Sequence, residues 1–400
     1  MAANQPLNLS LEEATRLVAT MVNDGELTQG MALAEQLLDV APQNPDVLFV
    51  AAGVAWRSAQ HERAVTLQRR LIETQPTDPK HHERLINFLQ ETRDTAGALA
   101  AAEAAVAQCA ADPLLFNALG LLQFNLGRTE ESLKTFDQAI SLFQDNTTAH
   151  HNRSLPLLAE GRLEDAVSAF TQGLTPWTGD AERNDETNNS PHRAVYDGAA
   201  ATYDDNRLQQ SWGPATAALI DEVYGSRSIG RMLDVCCGTG AVGRHVTQAV
   251  AHATGIDFSA NMLAKACQTG FYGTLIEADM IVGLAGLDDP FDLMTCSCAL
   301  YHQADLAPFF QHSARLLARR GYLIFSVDAA TDDLQIGQSA PGEFAHSRAY
   351  LRKLALDYEF AEISVTINAH RAYPGFWCVF QRYPAKSEGS PDNSSYPAIL

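Results

Sequence analysis

Apolar and polar residues in the first half of the chain follow a helical spacing that repeats every 34 residues. The two clearest copies align without a gap, so Gly127 and Phe136 of one copy correspond to Gly161 and Phe170 of the next. Small residues continue this register backwards, as paired helices that cross closely require; they are Gly30, Ala64, Ala98, Ser132 and Ala166. Five helix pairs are therefore predicted, at 11–44, 45–78, 79–112, 113–146 and 147–180.

The repeat pattern resembles the tetratricopeptide family over about the first 175 residues. The third copy departs most, because Arg93 stands at a turn position that holds glycine in three other copies. Ile86 also stands where the family has a small residue. The resemblance implies an all-α solenoid whose concave groove binds a peptide or partner protein. The alternative, that the array forms a homodimer or packs against the rest of the chain, stays open.

The second half begins after a polar, acidic segment without apolar periodicity, 176–191, which is predicted to be a linker. A second domain is predicted at 192–384 and a disordered tail at 385–400. Short apolar runs that alternate with helical stretches favour a parallel sheet covered by helices. Seven strands are predicted, at 231–235, 252–256, 273–277, 291–296, 321–327, 361–367 and 376–382.

A glycine-rich loop follows the first of these strands and precedes a helix predicted to begin near Ala241. Gly238 and Gly240 allow the backbone to pass close to a ligand. Together with Gly243 they also satisfy the GxGxxG fingerprint, so a dinucleotide-binding enzyme is an alternative. Asp234 argues against it, because its carboxylate would repel a pyrophosphate at the same place.

At this loop the chain resembles the class I S-adenosylmethionine-dependent methyltransferases, whose first motif is an acidic residue followed by GxGxG. Cys236 replaces the first glycine of that motif, and a residue of this size is expected to permit binding. The resemblance implies a Rossmann-like α/β fold for the second domain and S-adenosylmethionine as its cofactor. The fold class is therefore multidomain, an all-α tetratricopeptide solenoid followed by a class I methyltransferase domain. No metal is implied.

Further cofactor residues follow the next strands in the order that the family has. Asp257, 23 residues after Asp234, is predicted to accept both ribose hydroxyls, and Asp279 the adenine amino group. For both carboxylates, capping of the following helix is the alternative. The full predicted set of cofactor residues is Tyr203, Asp234, Cys236, Gly238, Gly240, Asp257, Phe258, Met262, Asp279, Met280 and Cys298.

Residues for the methyl acceptor are predicted on three segments. Tyr196 and Tyr203, two helical turns apart, either close the pocket or pack their helix onto the domain. His302 is the candidate catalytic base for a hydroxyl acceptor, with substrate contact or a structural role as alternatives. The predicted substrate residues are Tyr196, Tyr301, His346 and Arg348.

Composition narrows the partners that the chain is expected to have. Acidic residues outnumber basic residues by 48 to 28, and the resulting charge of −20 argues against nucleic acid and against an anionic membrane surface. No targeting or membrane-spanning segment is visible, so a cytoplasmic protein is expected. Seven cysteines at spacings that fit no zinc site are expected to be free thiols.

The leading hypothesis is a methyltransferase whose repeat array recruits a protein or peptide, either as the acceptor or as its carrier. In the first alternative, the acceptor is a small metabolite and the repeats mediate oligomerisation. In the second, an inactive cofactor domain serves as a scaffold, against which the retained Asp234, Asp257 and Asp279 argue.

Overall fold

The chain divides into two compact units, Met1–Pro156 and Leu157–Leu400. The first unit consists of antiparallel helix pairs, and the second is built around one mixed sheet. The computed structural model describes residues 9–110, 112–179, 190–205 and 207–384.

The helices of the first unit begin at equivalent positions of the 34-residue repeat. The side chain of the residue before each pair accepts a backbone N–H of the first turn, which satisfies groups that the helix itself leaves unpaired. These caps are Ser10, Asn44, Asp78, Asp112 and Asn146. The helices are α1 (Leu11–Asn23), α2 (Leu27–Val40), α3 (Pro45–Arg57), α4 (His61–Thr74), α5 (Pro79–Glu91), α6 (Thr95–Gln108), α7 (Pro113–Asn125), α8 (Thr129–Leu142) and α9 (Thr147–Ala159), which crosses the division.

The turn inside each helix pair contains one residue in the left-handed backbone region. The five residues, again 34 apart, are Gly25, Ala59, Arg93, Gly127 and Gly161. Only glycine adopts this conformation without a steric cost, which explains why three copies carry it. The third copy forms its helix pair despite Arg93, with a φ angle of 61° at this residue.

Ile86 of the third repeat is accommodated by a smaller partner across the helix pair. In the fourth repeat, a Cβ added at Gly120 would lie 2.6 Å from the ring of Phe136. In the third repeat, the equivalent positions hold Ile86 and Ala102, which belong to one buried cluster. Bulk is thus exchanged between the two helices, and the pair keeps its total volume.

The first complete helix of the second unit is α10 (Leu163–Gln172), the second helix of the fifth predicted pair. Its elements in chain order are then β1 (Thr175–Pro176), α11 (Ser190–Ala199), α12 (Arg207–Tyr224), β2 (Ile229–Val235), β3 (Val250–Asp257), α13 (Ala260–Gln268), β4 (Thr274–Glu277), α14 (Met280–Ala285), β5 (Phe291–Cys296), α15 (Ala307–Leu316), β6 (Leu317–Ala330), β7 (Ile336–Ala340), β8 (Glu343–Ser347), α16 (Arg348–Asp357), β9 (Phe360–His370) and β10 (Tyr373–Arg382).

Parallel strands form the centre of the sheet, in the order β4, β3, β2, β5 and β6. The hairpin of β9 and β10 is antiparallel, and β10 pairs with β6 over residues 322–328. Beyond this segment β6 continues alongside β8, which pairs with β7, and β7 pairs with β1. The order reverses between β2 and β5, where sheets of this type hold their ligands.

Each of the seven predicted strands overlaps one of these strands. The hairpin of β7 and β8 was not expected, nor was β1, which lies at the start of the predicted linker and pairs with β7. Residues 180–189 of that linker and the predicted tail 385–400 lie outside the described residues. The boundaries proposed for the two domains stay a prediction.

A large buried cluster lies between the sheet and its helices and includes Leu233, Met294 and Phe325. Val167 of α10 belongs to the same cluster, and Phe170 stacks on Tyr373 at 4.7 Å between ring centroids. The second helix of the fifth pair is therefore part of the core of the second unit. Across the described residues, no helix is both long and apolar enough to cross a membrane.

Candidate active site

The loop after β2 contains three residues in the left-handed region, Cys236, Gly238 and Gly240, with φ angles of 56°, 55° and 81°. A Cβ added at Gly238 would meet no atom within 4 Å, whereas one at Gly240 would lie 3.0 Å from Thr269 and Tyr272. The loop therefore bends tightly and leaves open space beside Gly238. Cys236 adopts a conformation that glycine adopts more readily, at a cost of about 1 kcal/mol.

The prediction of a helix that begins near Ala241 is wrong, because residues 241–245 form turns. The Nδ1 atom of His245 lies 2.8 Å from the carbonyl oxygen of Ala241, where a helix would place a backbone N–H. Gly213 of α12 also packs against this carbonyl so closely that an added Cβ would lie 2.4 Å from the oxygen. The backbone amides at this end of β2 therefore belong to the glycine loop and not to a helix N-terminus.

Asp234 lies at the end of β2 with only 1% of its surface exposed. Its two oxygens accept the hydroxyl protons of Tyr272, at 2.6 Å, and Thr295, at 2.7 Å. Burial raises the pKa of Asp234 to about 6 although both hydrogen bonds favour the ionised form. Asp234 thus anchors β2 to β5 and to the segment before β4, and its contact with the cofactor stays a prediction.

Asp257, the last residue of β3, connects this strand to the glycine loop. Its carboxylate accepts the backbone N–H of Gly238 and of Ser259, both at 2.9 Å. Burial raises the pKa of Asp257 above its ordinary value. Ser259, and not Asp257, caps α13, because its side chain accepts the N–H of Met262.

Asp279 does cap a helix, since it accepts the N–H of Ile281 at 3.0 Å at the start of α14. Helix capping, the alternative role considered for Asp279, is therefore observed. Its contact with the adenine amino group stays a prediction. Met262 and Met280 are buried, with 1% and 5% of their surface exposed. Cys298 is buried as well and has a φ angle of 55°.

Aromatic side chains from three segments meet beside Asp257. The ring of Tyr196 on α11 lies edge-on to Phe258, with 5.6 Å between centroids, and 6.2 Å from the ring of Tyr203. Its hydroxyl lies 3.2 Å from the hydroxyl of Tyr301 and 3.2 Å from Nε2 of His302. Burial raises the pKa of Tyr196, Tyr203 and Tyr301, so these phenols are neutral hydrogen-bond donors near pH 7.

The remaining two predicted substrate residues lie on β8 and at the start of α16. His346 is fully buried, its Nε2 atom lies 3.0 Å from the carbonyl of Ala304, and burial lowers its pKa to about 4. Arg348 forms an ion pair of 2.5 Å with Glu362 of β9. The structure therefore shows structural partners for both, and their roles toward the acceptor stay predictions.

A buried polar group behind Tyr301 was missed from the sequence. It consists of Ser326 and Asp328 on β6 and of His370 and Arg371 at the turn between β9 and β10. Its only local signal was polar residues within the buried strand 321–327 and directly after it. Their partners lie more than 40 positions away in sequence, and no periodicity connects them.

The hydrogen-bonding groups around Asp257 fit S-adenosylmethionine. A carboxylate offers about four lone-pair sites, and two remain at Asp257 for ribose hydroxyls after the bonds from Gly238 and Ser259. Phe258 presents a half-buried ring, and the space beside Gly238 admits a ligand close to the backbone. Among the described residues, no group of three or more His, Cys, Asp or Glu side chains is placed to hold a metal ion.

Comparison with known families identifies two parts of the chain. Residues 232–321 match the family model of a methyltransferase domain, and residues 117–181 match a tetratricopeptide repeat model. Both predicted parts of the chain are thereby confirmed, a tetratricopeptide region and a methyltransferase domain. The methyltransferase domain implies the use of S-adenosylmethionine, which is the predicted cofactor.

A similar relative is malonyl-[acyl-carrier protein] O-methyltransferase of Enterobacter lignolyticus (strain SCF1). It is 30% identical over 168 residues, which cover 41% of this chain and 64% of that protein. The chain thus spans less than two thirds of the length of this relative.

Two solved structures are similar to different parts of the chain. Magnesium protoporphyrin IX methyltransferase from Synechocystis PCC 6803 with bound SAM is 21% identical and covers 51% of this chain and 99% of its own, with a TM-score of 0.38. YrrB, described as a TPR protein with an unusual peptide-binding site, is 15% identical and covers 41% of this chain and 84% of its own, with a TM-score of 0.34.

Proposed function

We propose that this chain, which joins a tetratricopeptide region to a methyltransferase domain, transfers the methyl group of S-adenosylmethionine to an acceptor on a protein or peptide that the repeats bind. The observation that carries the proposal is the convergence of Asp257, Phe258, Tyr196 and His302 at the carboxyl ends of β3 and β5. One side of this group suits an adenosyl moiety. The other side offers hydroxyls and an imidazole to an acceptor.

When bound, S-adenosylmethionine supplies a methyl group on a sulfonium, whose displacement needs an aligned nucleophile and little else. Asp257 and the glycine loop hold the ribose end, while Tyr196 and Tyr301 exclude water and donate hydrogen bonds to the acceptor. His302 accepts the proton of a hydroxyl acceptor at Nε2, and a carboxylate acceptor needs no base.

A protein-borne acceptor is favoured by two observations. The relative of Enterobacter lignolyticus is named for a malonyl group carried on a protein. The first helices of two repeats also expose large apolar side chains, Phe49 of α3 at 46% and Leu114 of α7 at 54%, as a peptide-binding surface requires. The net charge of −20 argues against nucleic acid as the acceptor, because it repels a phosphate backbone.

Binding of the cofactor is tested by calorimetric titration with S-adenosylmethionine and with NAD in parallel. We expect binding of S-adenosylmethionine only, and a loss of affinity of about tenfold or more in Asp257→Ala, because the ribose then loses its acceptor. Asp288→Ala is the matched control, since that carboxylate is 99% exposed. Binding of NAD without S-adenosylmethionine would refute the proposal.

Recruitment by the repeats is tested in the full chain by Phe49→Glu combined with Leu114→Glu. With a malonyl-loaded acyl carrier protein as the probe acceptor, we expect KM to rise about tenfold and kcat to be kept. Val40→Glu, at an 80% exposed position on the end of α2, is the control. Equal activity of the double variant, at an unchanged oligomeric state, would favour a small-metabolite acceptor and repeats that mediate oligomerisation.

A further inference from the structure

Asp328, His370 and Ser326 form a fully buried chain of hydrogen bonds at the carboxyl end of β6. Each of the three residues has 0% of its surface exposed. Nδ1 of His370 lies 2.6 Å from Oδ1 of Asp328, and Nε2 lies 3.0 Å from Oγ of Ser326. Ser326 Oγ in turn accepts the backbone N–H of Cys298 at 2.9 Å.

The hydrogen-bond chain runs from Asp328 through the imidazole to Ser326. Nδ1 of His370 donates to Asp328, because an ionised carboxylate only accepts. The hydroxyl of Ser326 has one proton and two lone pairs, so beside the N–H of Cys298 it either donates to Nε2 of a neutral His370 or accepts from Nε2 of a protonated one. In both arrangements Asp328 fixes the imidazole, and the imidazole holds the hydroxyl of Ser326.

The end of this chain is a strained backbone position. Cys298 has a φ angle of 55°, in the region that disfavours residues other than glycine. The bond from its N–H to a buried hydroxyl stabilises that conformation. Cys298 is followed within four residues by Tyr301 and His302, so the conformation of this backbone sets where both side chains begin.

A second contact leads from Asp328 to the same segment through Arg371. The guanidinium of Arg371 pairs with Oδ2 of Asp328 at 2.5 Å and with Glu343 at 3.0 Å. It lies over the ring of Tyr301, 3.7 Å from the centroid, where a cation is attracted to the aromatic face. Burial works to raise the pKa of Asp328, but His370 and Arg371 outweigh it, and the carboxylate remains ionised.

The alternative for a Ser–His–Asp arrangement is nucleophilic catalysis. Such a serine must be exposed to its substrate, and Ser326 is completely buried. Its Oγ also accepts the backbone N–H of Cys298, so the hydroxyl is held within the protein interior. The arrangement is therefore suited to holding a conformation and not to covalent chemistry.

We propose that Asp328 is a positioning residue of the methyltransferase, which fixes residues 298–302 through His370 and Ser326 on one side and through Arg371 on the other. This inference rests on the proposed function, since the segment that it fixes presents Tyr301 and His302 to the acceptor. Asp328, His370, Ser326 and Arg371 act through this segment and do not contact the acceptor themselves.

Amide hydrogen exchange tests the inference independently of activity. In Ser326→Ala, the amide of Cys298 loses its acceptor, and we expect its exchange to accelerate about a hundredfold or more. The amides of Ile324 and Val327 within β6 are expected to stay protected. Ser313→Ala is the matched control, because Ser313 is also fully buried and its Oγ has no hydrogen-bond partner among the described residues.

Kinetics with malonyl-loaded acyl carrier protein supply the second measurement. For Asp328→Asn, Ser326→Ala and Arg371→Lys we expect kcat to fall about tenfold or more, with KM nearly unchanged and the affinity for S-adenosylmethionine within about twofold. Ser313→Ala is expected to keep full activity. If Asp328→Asn fails to fold, the other two variants decide.

Unchanged protection of Cys298 in Ser326→Ala, or unchanged kcat in all three variants, would overturn the inference. Labelling of Ser326 by a serine-reactive phosphonate in the intact protein would also overturn it, because the serine would then be accessible. Failure of the proposed function gives a different result, in which the wild-type chain methylates no probe. The exchange of Cys298 in that case still decides whether the hydrogen-bond chain fixes the segment.

Discussion

Arg93 has a left-handed backbone conformation although it is not a glycine. It occupies the left-handed turn position that glycine fills in three other repeats, and its φ angle is 61°. Arg93→Gly is expected to stabilise the first unit by about 0.5 kcal/mol, since relief of strain exceeds the entropy that glycine adds to the unfolded chain. The free energy of unfolding in urea measures the change.

Gly127→Ala is the matched control for Arg93→Gly, one repeat further along the chain. Its φ angle is 75°, and an added Cβ would meet no atom within 4 Å, so only backbone strain changes. The control is expected to destabilise the unit by about 1 kcal/mol. The two changes in the free energy of unfolding need not be equal in size. Stabilisation by Gly127→Ala would contradict the assignment of backbone strain to this turn position.

Asp234 gives the second unit a pH-dependent stability. The pKa of about 6 in the folded state exceeds the ordinary value, so ionisation of Asp234 favours the unfolded chain. The contribution of Asp234 to the free energy of unfolding is fully present below the ordinary pKa near 4 and is lost as the pH rises through about 6. The group therefore works in the opposite direction to Asp328, whose pKa is lowered.

Asp234→Asn removes this titration and tests its sign. The stability of the variant relative to wild type is expected to improve by about 2 kcal/mol between pH 4.5 and pH 7.5. Urea unfolding at both pH values, followed by near-ultraviolet circular dichroism, measures the difference. A relative stability that falls with rising pH would show that the carboxylate is stabilised when ionised.

Helix pairs and strands could be predicted from the sequence because their signals are local. The 34-residue register placed all five pairs, and Pro45, Pro79 and Pro113 begin three of them as first-turn prolines do. Apolar runs placed the parallel strands of the sheet. The expected helix near Ala241 failed because His245 takes the carbonyl oxygen that a helix would use.

Elements held by distant pairing could not be predicted in this way. The strand Ile336–Ala340 carries little β-branched character, and its pairing with β8 and β1 defines it. For the candidate site, the order of acidic residues after the strands predicted Asp257 and the glycine loop, and the structure brings these two into contact. The group of Asp328 and His370 depends on partners 42 residues apart, which no local pattern connects.

Reciprocal packing within a helix pair is expected to transfer from one repeat to another. Gly120→Ile would place a side chain against the ring of Phe136 and is expected to cost more than about 2 kcal/mol. Phe136→Ala alone leaves a cavity and is expected to cost about 3–5 kcal/mol. Together they create the combination of the third repeat, Ile86 with Ala102.

The double variant is therefore expected to lose less stability than the two single variants add up to, by about 1 kcal/mol or more. Urea unfolding of the four proteins of this cycle gives the coupling. Strict additivity would show that Gly120 and Phe136 do not compensate each other, and the exchange of bulk between repeats would then have no energetic meaning.

On the scale of the whole molecule, the repeat pattern and the compact units end at different places. The pattern continues to residue 180, whereas the second compact unit begins at Leu157. The helix α10 belongs to the fifth repeat by sequence and to the sheet domain by its packing. Thr171 Oγ1 accepts the backbone N–H of Thr331 at 3.0 Å, directly after β6.

Two truncations are expected to separate these boundaries. Residues 145–400 keep α9 and α10 and are expected to unfold cooperatively. Residues 181–400 lack Val167 and Phe170, and loss of these two buried side chains costs on the order of 5 kcal/mol, which approaches the whole stability of an ordinary domain. We expect this shorter chain to aggregate or to melt without a sharp transition.

Thermal unfolding followed by near-ultraviolet circular dichroism, with size-exclusion chromatography, compares the two truncated chains. Similar melting of both would show that α10 contributes little to the core, in spite of the stack of Phe170 on Tyr373. A difference in the expected direction has a practical consequence for assays of recruitment. Removing all five repeats would then abolish activity through unfolding, so the function of the groove must be tested by surface substitutions in the full chain.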